Sequence, residues 1–318
     1  MERVRVGLDW TPNTTHVGLY AALCSGAFSS RGLEVEFVAP GDNGAPTTPG
    51  AGLVAGSLQF GLCPCDQLVS SDFREELLAV AVLIAKDISA VVVRSDSQIT
   101  RPRELAGRTY ASCGYPFEAA TVNELIAADG GSGGGGVREV CPPLRTSTES
   151  MLRDGSCDAA WQYLPWEVLR LEAQGVGLRC FRLADFGVAF GYMNSIAVTR
   201  ETAKSRPELV RRFVEAVAEG TRLAVQDPDA AACMLYEGSA HHADLADMDF
   251  NSRSVRKLVE LGALGGDGRA DPAVWAGFAS LLRVVSLKSA GVGEAEAEVC
   301  TGERAVWTNK FFLQPGAE

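Results

Sequence analysis

The residues with the most capacity for chemistry stand at the start of the chain, in Leu8-Asp9-Trp10-Thr11-Pro12-Asn13-Thr14-Thr15-His16. The apolar run over residues 4–8 reads as a strand, and a helix of small residues begins near Thr15. Asp9, Asn13, Thr14, Thr15 and His16 therefore fall where a strand ends and a helix starts. Open α/β sheets bind ligands at such carboxyl ends of strands. The helix start adds free N–H groups and a positive partial charge. Trp10 offers a flat apolar face to a planar ligand, and His16 a neutral donor and acceptor. The competing expectation is a buried Trp beside a capped helix.

Other reactive residue types carry less. The nine cysteines are odd in number and irregular in spacing, so no disulfide framework is expected. Several lie among apolar or small residues, as buried thiols of a reducing compartment do. Cys63-Pro64-Cys65 is a C-x-C pair with no further ligand nearby, and His16, His241 and His242 are the three histidines. With no HExxH and no paired CxxC, no metal site is expected. No Ser-His-Asp or Cys-His arrangement can be assembled, so no catalytic residue is assigned. The glycine-rich run over residues 130–136 follows a helical segment and lacks the Lys-Ser/Thr of a phosphate loop; it reads as a surface turn.

The elements that must hold these residues alternate short β-rich runs with helical segments, the mark of an α/β fold. Strands are expected over residues 4–8, 33–38, 58–61, 78–85, 90–94, 108–112, 138–141, 158–163 and 192–199. From Arg206 the chain is mainly helical, with Leu209, Phe213, Val214, Val217 and Leu223 on a helical period. Asp227-Pro228 and Asp271-Pro272 open further helices, and the aromatic residues 305–312 anchor the end on a lobe. This order predicts two lobes joined by two crossovers: residues 1–94 in lobe one, 95–191 in lobe two, and 192–318 returning to lobe one. A ligand cleft between them would close by a hinge motion.

The 318 residues, 47% hydrophobic and 22% charged, suffice for two globular lobes. A net charge of −11 argues against nucleic acid as a partner. No apolar run reaches membrane-spanning length, so no membrane insertion is expected. Met1-Glu2-Arg3 leads directly into the first strand without a signal peptide. The chain as written reads as cytoplasmic, or as periplasmic or extracytoplasmic if a leader has been removed.

The opening stretch resembles that of the thiamine-pyrimidine synthase-like substrate-binding proteins, in which a strand ending Leu-(Asp/Asn)-Trp is followed by a His and a helix. The resemblance extends over nearly the whole chain. Residues 48–61 resemble the helix–Gly–strand segment before the first cleft loop, and residues 99–110 the entry to lobe two. Ser112-Cys113-Gly114-Tyr115-Pro116-Phe117-Glu118 is similar to the ligand loop of that group. Residues 155–161 with Pro165-Trp166-Glu167 resemble its strand and Trp-Glu helix, and residues 203–216 the helix after the return crossover. The resemblance implies a type II periplasmic-binding-protein-like fold, as in solute-binding proteins of the SsuA type.

The departures bear on chemistry. The catalytic synthases carry a Lys that holds pyridoxal phosphate, a His consumed as substrate, and an iron-linked Cys cluster before the return strand. Cys63 stands at the Lys position and Gln67 at the His position, Lys86 is the one lysine in the first half, and residues 186–193 contain no cysteine. A thiol cannot form the Schiff base that an amine forms. No cofactor is therefore expected, and binding without catalysis is the favoured reading. A hydroxymethylpyrimidine phosphate synthase-like enzyme is the alternative.

The ligand that the resemblance implies is a small heterocycle, a thiamine-pyrimidine precursor before others, delivered to an ABC permease if the chain serves uptake. Such a ring needs aromatic faces and a few fixed polar groups. Trp10, Tyr115, Trp161, Tyr163, Trp166 and Tyr192 can supply the faces. Glu118 can pair with an exocyclic amine and ring nitrogen, and Asn13, His16 and Asp66 can complete the hydrogen bonds.

Overall fold

The computed structural model describes residues 1–42, 46, 48–70, 72–114, 118–131, 135–142, 147–264, 268–288, 298, 300 and 305–312. The chain divides into two compact units, Met1–Asp87 with Gly191–Ala279 and Ala295–Glu318, and Ile88–Phe190 with Ser280–Glu294.

The first unit opens with β1 (Glu2–Gly7), α1 (Val17–Cys24), β2 (Leu33–Val38), α2 (Pro49–Val54), β3 (Phe60–Cys63), α3 (Cys65–Val69) and β4 (Leu77–Val82). The second contains β5 (Ser89–Arg94), β6 (Thr109–Ala111), α4 (Glu118–Ala128), β7 (Arg138–Val140), α5 (Thr148–Asp154) and β8 (Ala159–Tyr163). A π-helical turn, Leu164–Val168, then leads into α6 (Leu169–Ala173) and β9 (Leu178–Phe181). The chain returns with β10 (Ser195–Thr199), α7 (Arg200–Ser205), α8 (Pro207–Gln226), α9 (Pro228–Gly238), α10 (Met248–Glu260) and α11 (Pro272–Lys288).

Each unit is built on a five-stranded sheet, ordered β2-β1-β3-β10-β4 in the first and β7-β6-β8-β5-β9 in the second. In the first, β1 runs parallel to β2 and β3, and β10 is antiparallel to β3 and β4. In the second, β6 runs parallel to β7 and β8, and β5 is antiparallel to β8 and β9. The antiparallel strand of each sheet is thus the one that enters the unit at a crossover. The expected first boundary at residue 94 falls one strand late: β5 pairs with β8 and β9, not with β4. Its apolar run identifies a strand, but periodicity does not say which sheet receives it. The second change of unit, at Phe190/Gly191, lies one residue before the expected position.

Strands covered on both faces lack alternation: every residue of β3 and of β4 is buried. Over the first sheet, Phe60 stacks on Phe213 of α8 with centroids 3.8 Å apart, and Phe28 lies 5.2 Å from the same ring. Helices α1 and α8 approach through glycine. A Cβ on Gly220 would stand 2.2 Å from the Gly18 carbonyl oxygen and 2.4 Å from the Ala22 nitrogen.

The expected aromatic anchor at the C-terminus is present. The Ala79 N–H donates to Val306 O (2.7 Å) and the Thr308 N–H to Ala79 O (2.9 Å), so this segment pairs with β4. Trp307 stacks on Trp275 at 6.3 Å with parallel rings, and Asn309 exchanges two side-chain hydrogen bonds with the Ala270 backbone. The sequence reading lacked β9 and α10. It also began the return strand at residue 192, where the chain is irregular until Ser195. Residues 132–134 of the glycine run lie outside the described residues.

Candidate functional site

In the first unit the carboxyl ends of β1 and β3 and the start of β10 carry the polar residues. Leu8 continues β1 through a hydrogen bond from its N–H to Val38 O, and the chain then turns at Asp9. Asn13 fixes the turn. Its Oδ1 accepts from the Thr15 N–H (2.9 Å) and hydroxyl (2.7 Å), and its Nδ2 donates to Thr11 O (3.0 Å). The Thr14 and Ser254 hydroxyls, 2.6 Å apart and buried, tie the turn to α10.

His16 is fully buried. Its Nδ1 accepts from the Asn13 N–H (3.3 Å), so the proton of the neutral ring sits on Nε2, which donates to Asp9 Oδ1 at 2.8 Å. Asp9 Oδ2 accepts from Asn194 Nδ2 at 2.9 Å. One carboxylate is therefore aimed by two buried side chains, yet 23% of the Asp9 side chain remains exposed and its lone pairs exceed these two bonds. Beside it Trp10 is 62% exposed, against the expectation of a buried core Trp. An exposed tryptophan offers a flat apolar surface, and the residue before it in the chain is an oriented carboxylate.

The other expected residues of this unit take structural places. His16 presents no free ring nitrogen and acts by positioning Asp9. Asp66 is buried in the first turn of α3, its Oδ1 accepting from the Gln67 N–H at 2.9 Å. Asp9 and Asp66 both act on the Cys63 thiol: burial first, then these two charges, pushes it well above the usual thiol range. Cys65 is raised in the same way, by burial and by Asp66. Burial and the nearby carboxylates thus disfavour the thiolate form at both positions. Tyr192, expected as a ligand face, has its own contacts within the protein. It is buried against Trp275, and its hydroxyl accepts from the Asp271 N–H at 2.7 Å. Among the described residues no group of three or more His, Cys, Asp or Glu side chains is placed to hold a metal.

In the second unit the same edge, at the ends of β6 and β8, gathers a second set. Glu118 is buried at the start of α4 and accepts from the Tyr110 hydroxyl (2.6 Å) and the Cys113 N–H (3.1 Å to Oε2). Burial of Tyr110 first, and then the Glu118 charge, raises the Tyr110 hydroxyl. Glu118 thus shapes the loop after β6, and Tyr115 lies outside the described residues. Along β8, Ala160 and Gln162 point into the core, where Gln162 Nε2 donates to Thr148 Oγ1 at 2.9 Å. Trp161 and Tyr163, on the opposite face, are partly exposed. Trp161 meets Phe190 edge-on, with centroids 5.1 Å apart.

Trp166 lies in the π-turn under the Arg170 guanidinium, 4.8 Å from its centroid. Glu167 Oε2 accepts from the Tyr163 N–H at 2.9 Å. Burial pushes Glu167 to about 7 against the lowering effect of that N–H, and burial also raises Glu149, 3.9 Å from Arg170. π-turns, and carboxyls raised by burial, are each found frequently at functional sites.

Sequence reasoning missed Asn194 and gave Glu167 no ligand role. Asn194 immediately precedes β10. Only recognition that β10 is antiparallel would place that residue at the carboxyl edge of β3.

The comparisons with known proteins fit this arrangement. A family model described as NMT1/THI5 like matches residues 13–231, more than half of the chain. The formylaminopyrimidine-binding protein of Halalkalibacterium halodurans is 26% identical over 236 residues, 73% of this chain and 69% of its own. The riboflavin-binding protein RibY of Chloroflexus aurantiacus is 26% identical over 313 residues, 93% of this chain and 85% of its own. Among solved structures, the periplasmic aliphatic sulphonate binding protein SsuA of Escherichia coli superposes with a TM-score of 0.65 at 12% identity, covering 91% of this chain and 88% of that one. A Bordetella bronchiseptica protein gives 0.71 at 18% identity, covering 98% and 96%. These likenesses establish the periplasmic-binding-protein-like fold. Among the described residues no helix is long and apolar enough to cross a membrane.

Proposed function

The chain belongs to the NMT1/THI5-like family, and we propose that it is a solute-binding protein for a small, flat nitrogen heterocycle, a thiamine-pyrimidine precursor first among them. The observation that carries this reading is Trp10, 62% exposed and next in sequence to Asp9, whose carboxylate His16 and Asn194 hold in place. An aminopyrimidine offers a ring face to stack on an indole and an exocyclic amine to donate to a carboxylate. The names of the two relatives, a formylaminopyrimidine binder and a riboflavin binder, both point to flat nitrogen heterocycles. Riboflavin is the second reading, favoured by the relative that matches 93% of this chain.

Work of this kind pairs the protein with an ABC permease and places it outside the cytoplasm. Synthase chemistry through a Schiff base is not supported. Cys63 is a buried thiol held in its protonated form, and Lys86 Nζ lies against Gly262.

A thermal-shift panel tests the reading: 4-amino-5-hydroxymethyl-2-methylpyrimidine, its formylaminomethyl analogue, riboflavin and an alkanesulfonate. A ligand at a hundred times its Kd stabilises by about 2.7 kcal/mol, which is readily seen. A shift with either pyrimidine supports the first reading, and a shift with riboflavin alone replaces it with the second. A response to the sulfonate alone refutes both.

A further inference from the structure

The indole of Trp161 has a polar end that the protein leaves unused. Its Nε1 is buried and meets no hydrogen-bond acceptor among the described residues. Buried donors of this kind are uncommon, and each calls for a specific reason. Here the surroundings suggest one. Trp161 sits on β8, one of the two strands whose carboxyl ends carry the polar residues of this unit, and its face of the strand is the partly exposed one it shares with Tyr163. Phe190 stands against the indole at 66° with centroids 5.1 Å apart, a contact that restricts rotation of the ring. The other large polar side chain of β8, Gln162, faces the core and is satisfied there by Thr148. Trp275 Nε1 is unpartnered too, but that side chain is fully buried in the core, whereas Trp161 lies on the partly exposed face of its strand.

We propose that Trp161 is a specificity-determining donor. Its Nε1–H gives a hydrogen bond to an in-plane acceptor of the bound heterocycle, a ring nitrogen or a ring carbonyl, and Phe190 holds the indole in the orientation that makes this possible. The inference rests on the heterocycle-binding reading above and changes one part of it: Trp161 meets the ligand with its edge, not its face. A ligand without an acceptor at that position leaves the donor unmet and binds more weakly. A pyrimidine nitrogen and a flavin carbonyl both satisfy it, so the choice between these ligands is made by other residues.

The test pairs one substitution with one change of ligand. Affinities for 4-amino-5-hydroxymethyl-2-methylpyrimidine, for its benzene analogue with both ring nitrogens replaced by CH, and for riboflavin are measured by calorimetry on wild type and Trp161→Phe. Wild type is expected to bind the pyrimidine roughly tenfold more tightly than the benzene analogue, and Trp161→Phe to lose that preference while binding the analogue as wild type does. The free Trp161→Phe protein is expected to be as stable as wild type, or more so, because it has shed an unpaired donor. A merely structural Trp would give a loss of stability instead. In uniformly 15N-labelled wild type, one indole N–H resonance should move downfield with the pyrimidine and not with the analogue, a readout that needs no variant. Equal affinity of wild type and Trp161→Phe for the pyrimidine, or an equal loss for both ligands, overturns the proposal. Failure of wild type to bind either the pyrimidine or riboflavin overturns the heterocycle reading itself.

Discussion

Replacing His16 by alanine should separate its positioning role from ligand contact. The ring is fully buried, accepts from the Asn13 N–H and donates to Asp9 at 2.8 Å. Losing a buried hydrogen bond to a charged partner costs about 1.5–3 kcal/mol. The space left by the imidazole, only partly refilled, adds about 1–2 kcal/mol. The expected total is about 2.5–5 kcal/mol, a fall in Tm of roughly 4–8 °C for a chain of this size. Urea unfolding at constant m measures the stability, and intrinsic fluorescence titration at low temperature measures the affinity left in the folded fraction. That affinity should drop about tenfold or more, because Asp9 keeps one of its two anchors. His16→Gln, whose amide can still donate toward Asp9, should recover part of both losses. Since His16 and Asn194 hold the same carboxylate, His16→Ala and Asn194→Ala should couple by about 0.5–3 kcal/mol in a double-mutant cycle. A loss below about 1 kcal/mol for His16→Ala, or strict additivity with Asn194→Ala, would refute the reasoning.

Three further outcomes are expected. Trp10→Ala, at a side chain already 62% exposed, should change stability by no more than about 0.5 kcal/mol while weakening heterocycle binding at least tenfold, as calorimetry with the pyrimidine would register. Gly220→Ala should destabilise by about 1–3 kcal/mol or more in urea unfolding, because its Cβ would meet the Gly18 carbonyl at 2.2 Å and force α1 and α8 apart. Glu167, at about 7 by burial, holds its proton more tightly folded than unfolded, where its ordinary value is 4.5. Its contribution, about 3 kcal/mol, is therefore fully present below pH 4.5 and lost as pH rises through 7, and Glu167→Gln should flatten the stability–pH curve over that window.

The sequence made the opening turn legible because its signals are local. An apolar strand, a polar turn with Pro and Asn, and a run of small residues follow one another within twenty positions. The alternation of strands and helices likewise carried the two-unit architecture. What it could not disclose depends on distant partners. His16 looks like a ligand donor until Asp9, seven residues earlier, is seen to return across the turn to it. Tyr192 looks like an aromatic wall until α11 brings the Asp271 N–H to its hydroxyl. Glu118 looks like a free carboxylate until Tyr110 and the Cys113 backbone claim it. Strand β9, Leu178–Phe181, is a short edge strand containing an arginine, too brief for periodicity to reveal. Exposure is the least legible property of all: nothing in the residues around Trp10 and Trp161 says which indole is in water and which has a buried, unpartnered N–H.

The pairing of the C-terminal segment with β4 also sets a timetable for synthesis. Ala79 bonds Val306 and Thr308, and β3 waits for β10, so the first sheet is assembled from segments made before and after the second unit. The second sheet lies wholly within Ser89–Phe181. At ribosomal rates of about 5–20 residues per second, the second sheet is complete while the first still lacks its fourth strand. During that interval β3 carries an open edge and apolar faces, the condition in which strands pair wrongly or aggregate. The sheet begun first is thus the last to become safe, and its survival in the nascent chain depends on residues made after the second sheet is finished.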